Sequence, residues 1–429
     1  MNQTRTEHGS RGPSSPALLL LTERPGRRLH NRPAIVVLGL AARLGWPRAA
    51  AIWPTADRPV IAVDLSSSHP AEWIRATFEH GARAPHETFA RRTLRRTVRS
   101  VNAATWSVLR ARGLNIGKPD TAVLAVVEKA LGRSLDRPSV NLFSPSGAHG
   151  TKANLFIFEV DSREPAALVV TMPLLEDGYR LRDELDAVEA AREQLAAKPD
   201  LVAALPRAPL WTGTLRGRFA AVLPIDPAAR GTGVEDRGRA LQWLRRFQEH
   251  TAEPAIAWGG EHYAREQRVV EEAWAALRPR SLSTARAIAA GLLGRLKGTS
   301  LRQCAIHGDY WRGNVAHTED TMRVFDWEWS RSRGHPLFDV WTYELAELRG
   351  VADQDGGDLE PPLRLALTRV SGEAQARGLD PAMASAMLMP VLAELAIRNR
   401  RISGLPSPPE IPYARVMATS ERLLVLDSR

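Results

Sequence analysis

The order of secondary-structure patterns constrains this chain most, because strand-like runs fill one stretch and helical periodicity dominates after it. Strands are predicted at residues 140–143, 154–160 and 167–172, where β-branched and apolar residues are bounded by turn residues. A further strand is predicted at 219–223, and most of the chain beyond it has the 3.6-residue spacing of amphipathic helices. Segregation of strands from helices is typical of an α+β protein.

Shifts in composition divide the chain into four parts. Residues 1–33 contain Ser, Gly, Pro and Arg without periodicity, which predicts a flexible leader. We predict an extra basic α/β module of unassigned role at 34–137, with a helix at 121–131. A small β-rich N-lobe follows at 138–225, and a larger helical C-lobe follows at 226–429.

The positive charge is concentrated near the N-terminal end. Residues 1–118 carry 19 Lys and Arg against 7 Asp and Glu, so the high isoelectric point comes from this region alone. An arginine-rich amphipathic helix is predicted within it. Four roles stay open for this helix: contact with an anionic membrane surface through residues 88–112, nucleic-acid binding, steering of an anionic substrate, and a solvated face packed on the neighbouring lobe. No zinc-finger, helix-turn-helix or aromatic RNA-binding pattern accompanies the arginines, so the nucleic-acid role is disfavoured and the solvated face is favoured.

Apolar runs and cysteine content narrow the class of protein. The run at residues 17–21 is too short to span a bilayer, and the segment 34–44 is interrupted by Arg43. The single cysteine, Cys304, excludes a disulfide scaffold and a multi-cysteine zinc site. We therefore expect a cytoplasmic protein.

A strand-turn-strand segment at residues 303–329 interrupts the helical part and carries the most informative polar residues. Its first strand ends at the tripeptide His307-Gly308-Asp309, and Asn314 follows five residues later. Asp326 ends the next strand. Two neighbouring loops of a hairpin would present two carboxylates and one amide to a common point.

This combination suits phosphoryl transfer, in which the protein mainly positions groups and neutralises charge. Asp309 is predicted to be the base that orients an acceptor hydroxyl. Asn314 and Asp326 are predicted to hold Mg²⁺, a hard cation that prefers oxygen ligands. His307 belongs to the same catalytic set. For this residue we favour support of the loop by hydrogen bonding over proton transfer.

The pattern HGDxxxxN, followed by a strand and DWE, resembles the aminoglycoside phosphotransferase and choline kinase family, relatives of the protein kinases. The resemblance covers roughly residues 140–345. It implies a bilobal protein-kinase-like fold, ATP held between the lobes, and a small-molecule hydroxyl as acceptor, on a sugar, an amino sugar or an amino alcohol. It also implies that Asp339 braces the catalytic loop, although an ordinary carboxylate in a first helical turn is an equal alternative.

The residues expected to bind the nucleotide depart from the family pattern. The turn at 144–151 contains Gly147 and Gly150 and is read either as a phosphate-covering loop or as a plain hairpin turn. Family members carry a lysine on the third strand, paired with an acid on the following helix. Here Thr171 stands at the lysine position, and Glu184 matches the acid, with Glu189 as the second choice.

Two interpretations follow from the missing lysine. Lys152, beside the glycine turn, reaches the nucleotide phosphates in its place. Alternatively, the chain is a catalytically silent kinase-like binding or regulatory protein. Pro224 lacks a backbone N–H, so adenine recognition would use other backbone groups such as those of Ile225.

Overall fold

In a computed structural model, the 429-residue chain forms two compact units. The first unit contains the described residues up to 171 together with 209–225. The second contains 181–208 and the described residues from 236 onward. The structure describes residues 49–54, 59–64, 114–115, 121–143, 153–159, 162–171, 181–215, 217–225, 236–257, 264–265, 268, 271–272, 290–291, 294, 298, 300–317, 321–352, 358–403, 415–416, 419–420 and 423.

An antiparallel sheet organises the first unit. Its strand order is β3-β1-β2-β4-β5-β6-β8-β7. The strands are β1 (Ala49–Pro54), β2 (Pro59–Asp64), β3 (Leu114–Asn115), β4 (Ser139–Phe143), β5 (Ala153–Phe158), β6 (Pro165–Thr171), β7 (Trp211–Leu215) and β8 (Arg218–Leu223).

The sheet crosses the boundary predicted at residues 137 and 138. Strand β2 pairs with β4 through Ile61 opposite Phe143 and Ala62 opposite Leu142, so strands from the basic N-terminal part extend the sheet of the predicted N-lobe. The four-part division itself stays a prediction.

One helix, α1 (Thr121–Leu131), packs on this sheet and has the predicted bounds. Val123 and Val127 of α1 are fully buried in a common apolar core with Leu155 and Val169 of the sheet. The first unit therefore buries α1 and its sheet against each other by apolar contact.

The second unit is mainly helical. Short strands of two to four residues pair as β9 with β10, β11 with β14, and β12 with β13. A 3₁₀ helix lies at Trp327–Trp329. The other elements are α2 (Leu181–Gln194), α3 (Pro199–Val202), α4 (Arg237–His250), β9 (Ile256–Ala257), β10 (Ser300–Leu301), β11 (Cys304–Ile306), β12 (Val315–His317), β13 (Met322–Val324), β14 (Arg331–Gly334), α5 (Phe338–Ala352), α6 (Glu360–Ala376) and α7 (Ala382–Ser403).

The predicted α+β class, with a β-rich part and a larger helical part, is confirmed. The predicted hairpin at residues 303–329 needs a correction, because β11 pairs with β14 rather than with the strand before Asp326. That strand, β13, pairs with β12. The loop between β11 and β12 therefore carries Asp309 and Asn314, and two separate strand pairs hold it.

Some predicted features fall outside the described residues: the leader, the arginine-rich helix at 88–112 and the glycine turn at 144–151. Within the part of the chain that the structure describes, no helix has the length and apolar character needed to cross a membrane.

Candidate active site

A buried strand delivers the candidate catalytic loop. All three residues of β11 are buried, and His307, Gly308 and Asp309 follow directly. Gly308 has a φ of +83°, and a Cβ at this position would lie 2.1 Å from the Trp329 carbonyl oxygen. Only glycine fits this turn, because an L side chain would be strained in the left-handed region and would collide with backbone.

The His307 side chain ties the loop to the neighbouring segment. The ring is fully buried, with Nε2 2.7 Å from the Phe325 carbonyl oxygen. The Asp309 backbone N–H donates to Nδ1 at 3.2 Å, so Nε2 carries the proton and donates to Phe325. Burial lowers the pKa of His307 to about 4, which keeps the ring neutral at physiological pH. Both nitrogens bond to backbone, a geometry that favours loop support over proton transfer.

Asp339, in the first turn of α5, braces the loop as the resemblance implies. Its Oδ2 accepts the His307 backbone N–H at 2.8 Å, and its Oδ1 accepts that of Gly308 at 2.7 Å. Burial raises the pKa of Asp339 to about 6, against the opposing effect of these two donors. The carboxylate therefore lies in a first helical turn and also holds the loop.

Asn314 contacts the candidate base directly. Its Nδ2 donates to the Asp309 carbonyl oxygen at 2.9 Å and to the Asp309 Oδ2 at 3.0 Å. Asn314 itself is buried. The structure thus brings together two of the predicted site residues, and this contact fixes the orientation of the Asp309 carboxylate.

Asp326 follows β13 in a strained backbone conformation. Its φ is 60° and its ψ is 62°, in the left-handed region that non-glycine residues rarely adopt. The preceding residue, Phe325, donates its N–H to the Asn314 carbonyl oxygen at 2.8 Å and accepts from His307. One backbone hydrogen bond and one from the His307 side chain therefore link the Asp326 turn to the loop that carries Asp309 and Asn314.

The donor chemistry of this pair fits Mg²⁺. Asn314 offers an amide oxygen and Asp326 a carboxylate, and Mg²⁺ is commonly held by one or two such side chains together with substrate phosphates. Among the described residues there is no cluster of three or more His, Cys, Asp or Glu side chains that would form an all-protein metal cage.

The predicted nucleotide-side residues are only partly described. Gly147, Gly150 and Lys152 lie outside the described residues. Glu184 is half-buried in the first turn of α2, and α2 packs against the 3₁₀ helix that follows Asp326. In the other unit, Ile225 is half-buried just beyond β8.

Acidic residues are frequent from the end of α5 to the start of α6, and the structure describes two of them, Asp358 and Glu360. The Asp358 Oδ1 accepts the Glu360 backbone N–H at 3.0 Å, and Glu360 pairs with Arg364 four residues later. These contacts are those of a helix start with an exposed ion pair. Asp353 and Asp355 lie outside the described residues.

A group on α7 and β14 escaped prediction from sequence. Arg398 of α7 donates to the Gly308 carbonyl oxygen and pairs with Glu394, which also binds Arg331 of β14 at 3.1 Å. Nothing in a helical sequence pattern indicates that Arg398 contacts a loop 90 residues earlier. Its only signal is an arginine and a glutamate at i,i+4 spacing, which usually indicates a surface pair.

The comparisons with known proteins agree with the motif. Residues 158–343 match the model of the phosphotransferase enzyme family, APH. No curated protein matches the chain significantly in sequence.

Three solved structures illustrate the level of structural similarity. A glucosamine kinase in complex with glucosamine, ADP and inorganic phosphate is 17% identical, with 72% of this chain and 87% of that chain covered and a TM-score of 0.40. A thermostable mutant of the aminoglycoside phosphotransferase APH(4)-Ia, in a ternary complex with ADP and hygromycin B, is 12% identical (71% and 98% covered, TM-score 0.44). The choline kinase LicA from Streptococcus pneumoniae is 9% identical (63% and 89% covered, TM-score 0.41). Similarities at this level carry no functional argument.

The family match rests on sequence and spans the whole candidate loop, from His307 to Asp339. The resemblance to the aminoglycoside phosphotransferase and choline kinase family, read from the HGDxxxxN and DWE motifs, is therefore confirmed over residues 158–343.

Proposed function

We propose that this chain is an ATP- and Mg²⁺-dependent phosphotransferase that moves the γ-phosphate of ATP to a hydroxyl of a small molecule. Candidate acceptors are sugars, amino sugars and amino alcohols. The observation that carries this proposal is the Asp309–Asn314 contact, in a loop whose backbone Asp339 anchors. This arrangement lies inside the region that matches a phosphotransferase family model.

In the proposed reaction Asp309 orients the acceptor hydroxyl and takes its proton as the bond from the hydroxyl oxygen to the γ-phosphorus forms and the bond from that phosphorus to the bridging oxygen of the leaving ADP breaks. The hydrogen bond from Asn314 holds the carboxylate in one orientation. His307 and Asp339 act on the backbone of the loop, so their contribution is to keep Asp309 in place.

Asn314 and Asp326 are the residues that would hold Mg²⁺. Held by these residues, the ion would supply positive charge that offsets the charge of the phosphates in a loose phosphoryl-transfer transition state. The strained backbone at Asp326 is consistent with this role, since such conformations cluster at functional sites.

For the nucleotide we propose contacts from the glycine turn with Gly147 and Gly150, from Lys152, and from backbone groups near Ile225. Glu184 is proposed as the acid that supports the phosphate-binding cation. Thr171 lies opposite Ala153 in the ladder between β5 and β6, and Lys152 directly precedes Ala153 in sequence. A lysine in place of Thr171 would therefore lie opposite Ala153, the residue that follows Lys152 in sequence.

The direct test is transfer of label from γ-labelled ATP to a panel of sugars, amino sugars, amino alcohols and polyols in the presence of Mg²⁺. We expect labelled acceptor with the wild-type protein. Asp309→Asn should lower the transfer rate by about 10²–10⁴-fold, the usual range for a positioned acid–base group. An Asp309→Asn protein with full activity would contradict the assignment of Asp309 as the base.

The missing third-strand lysine favours a second candidate, a catalytically silent kinase-like binding protein. A thermal unfolding scan with Mg²⁺ and ATP separates loss of nucleotide binding from loss of catalysis. Nucleotide at 100 times its dissociation constant adds about 2.7 kcal/mol to the free energy of unfolding. A protein that shows neither this shift at millimolar ATP nor label transfer is the silent relative.

A further inference from the structure

Every peptide group from the start of His307 to Asp309 has a fixed partner. Asp339 accepts the N–H groups of His307 and Gly308. The next peptide group, which joins Gly308 to Asp309, makes two hydrogen bonds. Its N–H donates to His307 Nδ1, and its carbonyl oxygen accepts from Arg398. Because this peptide carries the Cα of Asp309, its plane determines where the candidate base points.

The Arg398 guanidinium is itself fixed on three sides. Its Nη1 donates to the Gly308 carbonyl, while its Nη2 pairs with Glu394 one turn earlier on α7. The guanidinium carbon lies 4.7 Å from the centre of the Trp329 ring and 5.4 Å from that of Phe338. The side chain is only 9% exposed. An arginine that is buried, stacked on aromatic rings and hydrogen-bonded to two partners occupies one orientation rather than many.

Glu394 compensates the buried charge. Burial opposes ionisation of this carboxyl, but Arg398 and Arg331 outweigh it and lower its pKa. The charge of Arg398 in turn favours the neutral form of His307 and the ionised form of Asp339. These are the two forms that the hydrogen bonds of the loop require.

We propose that Arg398 is a positioning residue for phosphoryl transfer, which fixes the Gly308–Asp309 peptide plane and thereby the direction of the Asp309 carboxylate. The inference rests on the proposed function. Arg398 lies outside residues 158–343, so the family match assigns it nothing. Lysine cannot replace it fully, because a single ammonium lacks the fork that reaches a carbonyl and a carboxylate together.

The chain contains a matched control for a substitution at Arg398. Arg377, at the end of α6, is equally buried and pairs with Glu373 at the same i,i+4 spacing. Glu373 retains Arg245 as a second partner, as Glu394 retains Arg331. The other contacts of Arg377 go to Gln248 and to the Glu373 carbonyl oxygen, away from the Gly308 carbonyl. Arg377→Gln therefore removes a buried helical ion pair and leaves this loop contact in place.

The experiment compares Arg398→Gln, Arg398→Lys and Arg377→Gln by two measurements. The first is the rate of ATP turnover, with water or the best acceptor of the panel, per mole of folded protein. We expect Arg398→Gln to lower kcat by about 10–100-fold with the KM for ATP changed by less than about threefold, the range for partners that orient an active group. Arg398→Lys should fall between it and the wild type, and Arg377→Gln should keep its kcat.

The second measurement is amide hydrogen exchange in a peptide that covers residues 305–311. It needs no activity and no identified acceptor. Exchange should be at least about tenfold faster in Arg398→Gln, as expected for loss of one charge-assisted hydrogen bond, and unchanged in Arg377→Gln. Unchanged exchange in Arg398→Gln, or an unchanged kcat in an active enzyme, would overturn the inference. A wild-type protein without turnover would contradict the proposed function instead, and the exchange experiment would then decide the role of Arg398 alone.

Discussion

The first unit, here the sheet unit, and the second unit, here the helical unit, differ in the kinds of side chain that they bury. In the sheet unit, α1 and the strands enclose an apolar core of aliphatic side chains such as Leu155 and Val169. In the helical unit the buried set also includes ionisable groups, among them His307, Asp339 and Arg398. Within the described part of the chain, all the buried acids, histidines and arginines belong to the helical unit.

This difference indicates a division of labour. Burial of a charge without a partner costs several kcal/mol, so a core needs a reason to retain such groups. Here His307, Asp339 and Arg398 all bond to the backbone of one loop. We infer that the apolar core of the sheet unit serves stability, and that the buried groups of His307, Asp339 and Arg398 serve the geometry of the loop.

The largest expected effect concerns the sheet core. Leu155 is fully buried in β5, so Leu155→Ala should lower the free energy of unfolding by about 2.7–5 kcal/mol. Urea unfolding measures this loss. The kcat of the protein that stays folded should remain within about twofold of the wild type, and a large loss of kcat at full folding would break the proposed division.

A substitution at Asp339, which holds the loop, should lower kcat more than it lowers stability, the reverse of Leu155→Ala. Asp339→Asn keeps the shape of the side chain but sets an amide N–H₂ against a backbone donor of His307 or Gly308. We expect kcat to fall by about 10–100-fold, because the loop loses one of its fixed points. Steady-state kinetics at matched folded fraction measures this, and an unchanged kcat would show that the brace does not act on Asp309.

The nucleotide side gives a smaller effect. Lys152→Ala should raise the KM for ATP and lower kcat by several-fold, because a cation beside the phosphates is lost. Thr171→Lys in the same chain should restore much of the loss. Lys129→Ala, on the exposed face of α1, is the matched control and should change neither constant. If Lys152→Ala leaves both constants unchanged, the positive charge at the phosphates comes from another residue.

The smallest effect is on the pH dependence of stability. Burial lowers the pKa of His307 to about 4 and that of His335 to about 3. Both rings stay neutral in the folded protein while the unfolded chain takes up protons, so stability is complete above about pH 6.5 and is lost as the pH falls toward these values. Asp339 opposes this trend, because its folded pKa is raised to about 6 and the folded state takes up that proton first.

His335→Asn tests the assignment. The Asn Oδ1 can accept the Leu337 N–H that His335 Nδ1 accepts at 3.0 Å. The loss of unfolding free energy between pH 6.5 and 5 should become smaller by about 1–2 kcal/mol, because the variant lacks one histidine that takes up a proton in the unfolded chain. His250→Asn, at the exposed end of α4, is the control. An equal pH dependence in both variants would contradict a neutral, buried His335.

Features encoded by neighbouring residues were predictable. The bounds of α1 follow from its helical spacing and its stop at Gly132, whose φ is +69°. The contact between Asp309 and Asn314 follows from a spacing of five residues across one turn. Such features need no knowledge of the rest of the fold.

Features that depend on distant partners were not predictable. Strand β14 has the polar sequence Arg-Ser-Arg-Gly and forms because β11 pairs with it. Strand β7, with Thr212, Gly213 and Thr214, lacks an apolar run and exists as the edge partner of β8. The contact of Arg398 with Gly308 spans 90 residues, and helical periodicity assigns Arg398 a face but not a partner.

The central claim is that the buried groups of His307, Asp339 and Arg398 act through Asp309. A double-mutant cycle with Asp309→Asn and Asp339→Asn tests it most directly, with kcat measured for the wild type, both single variants and the double variant. If Asp339 works by placing Asp309, the double variant should be no slower than Asp309→Asn alone, because a positioned group that is absent needs no brace. Losses that multiply in the double variant would contradict the claim.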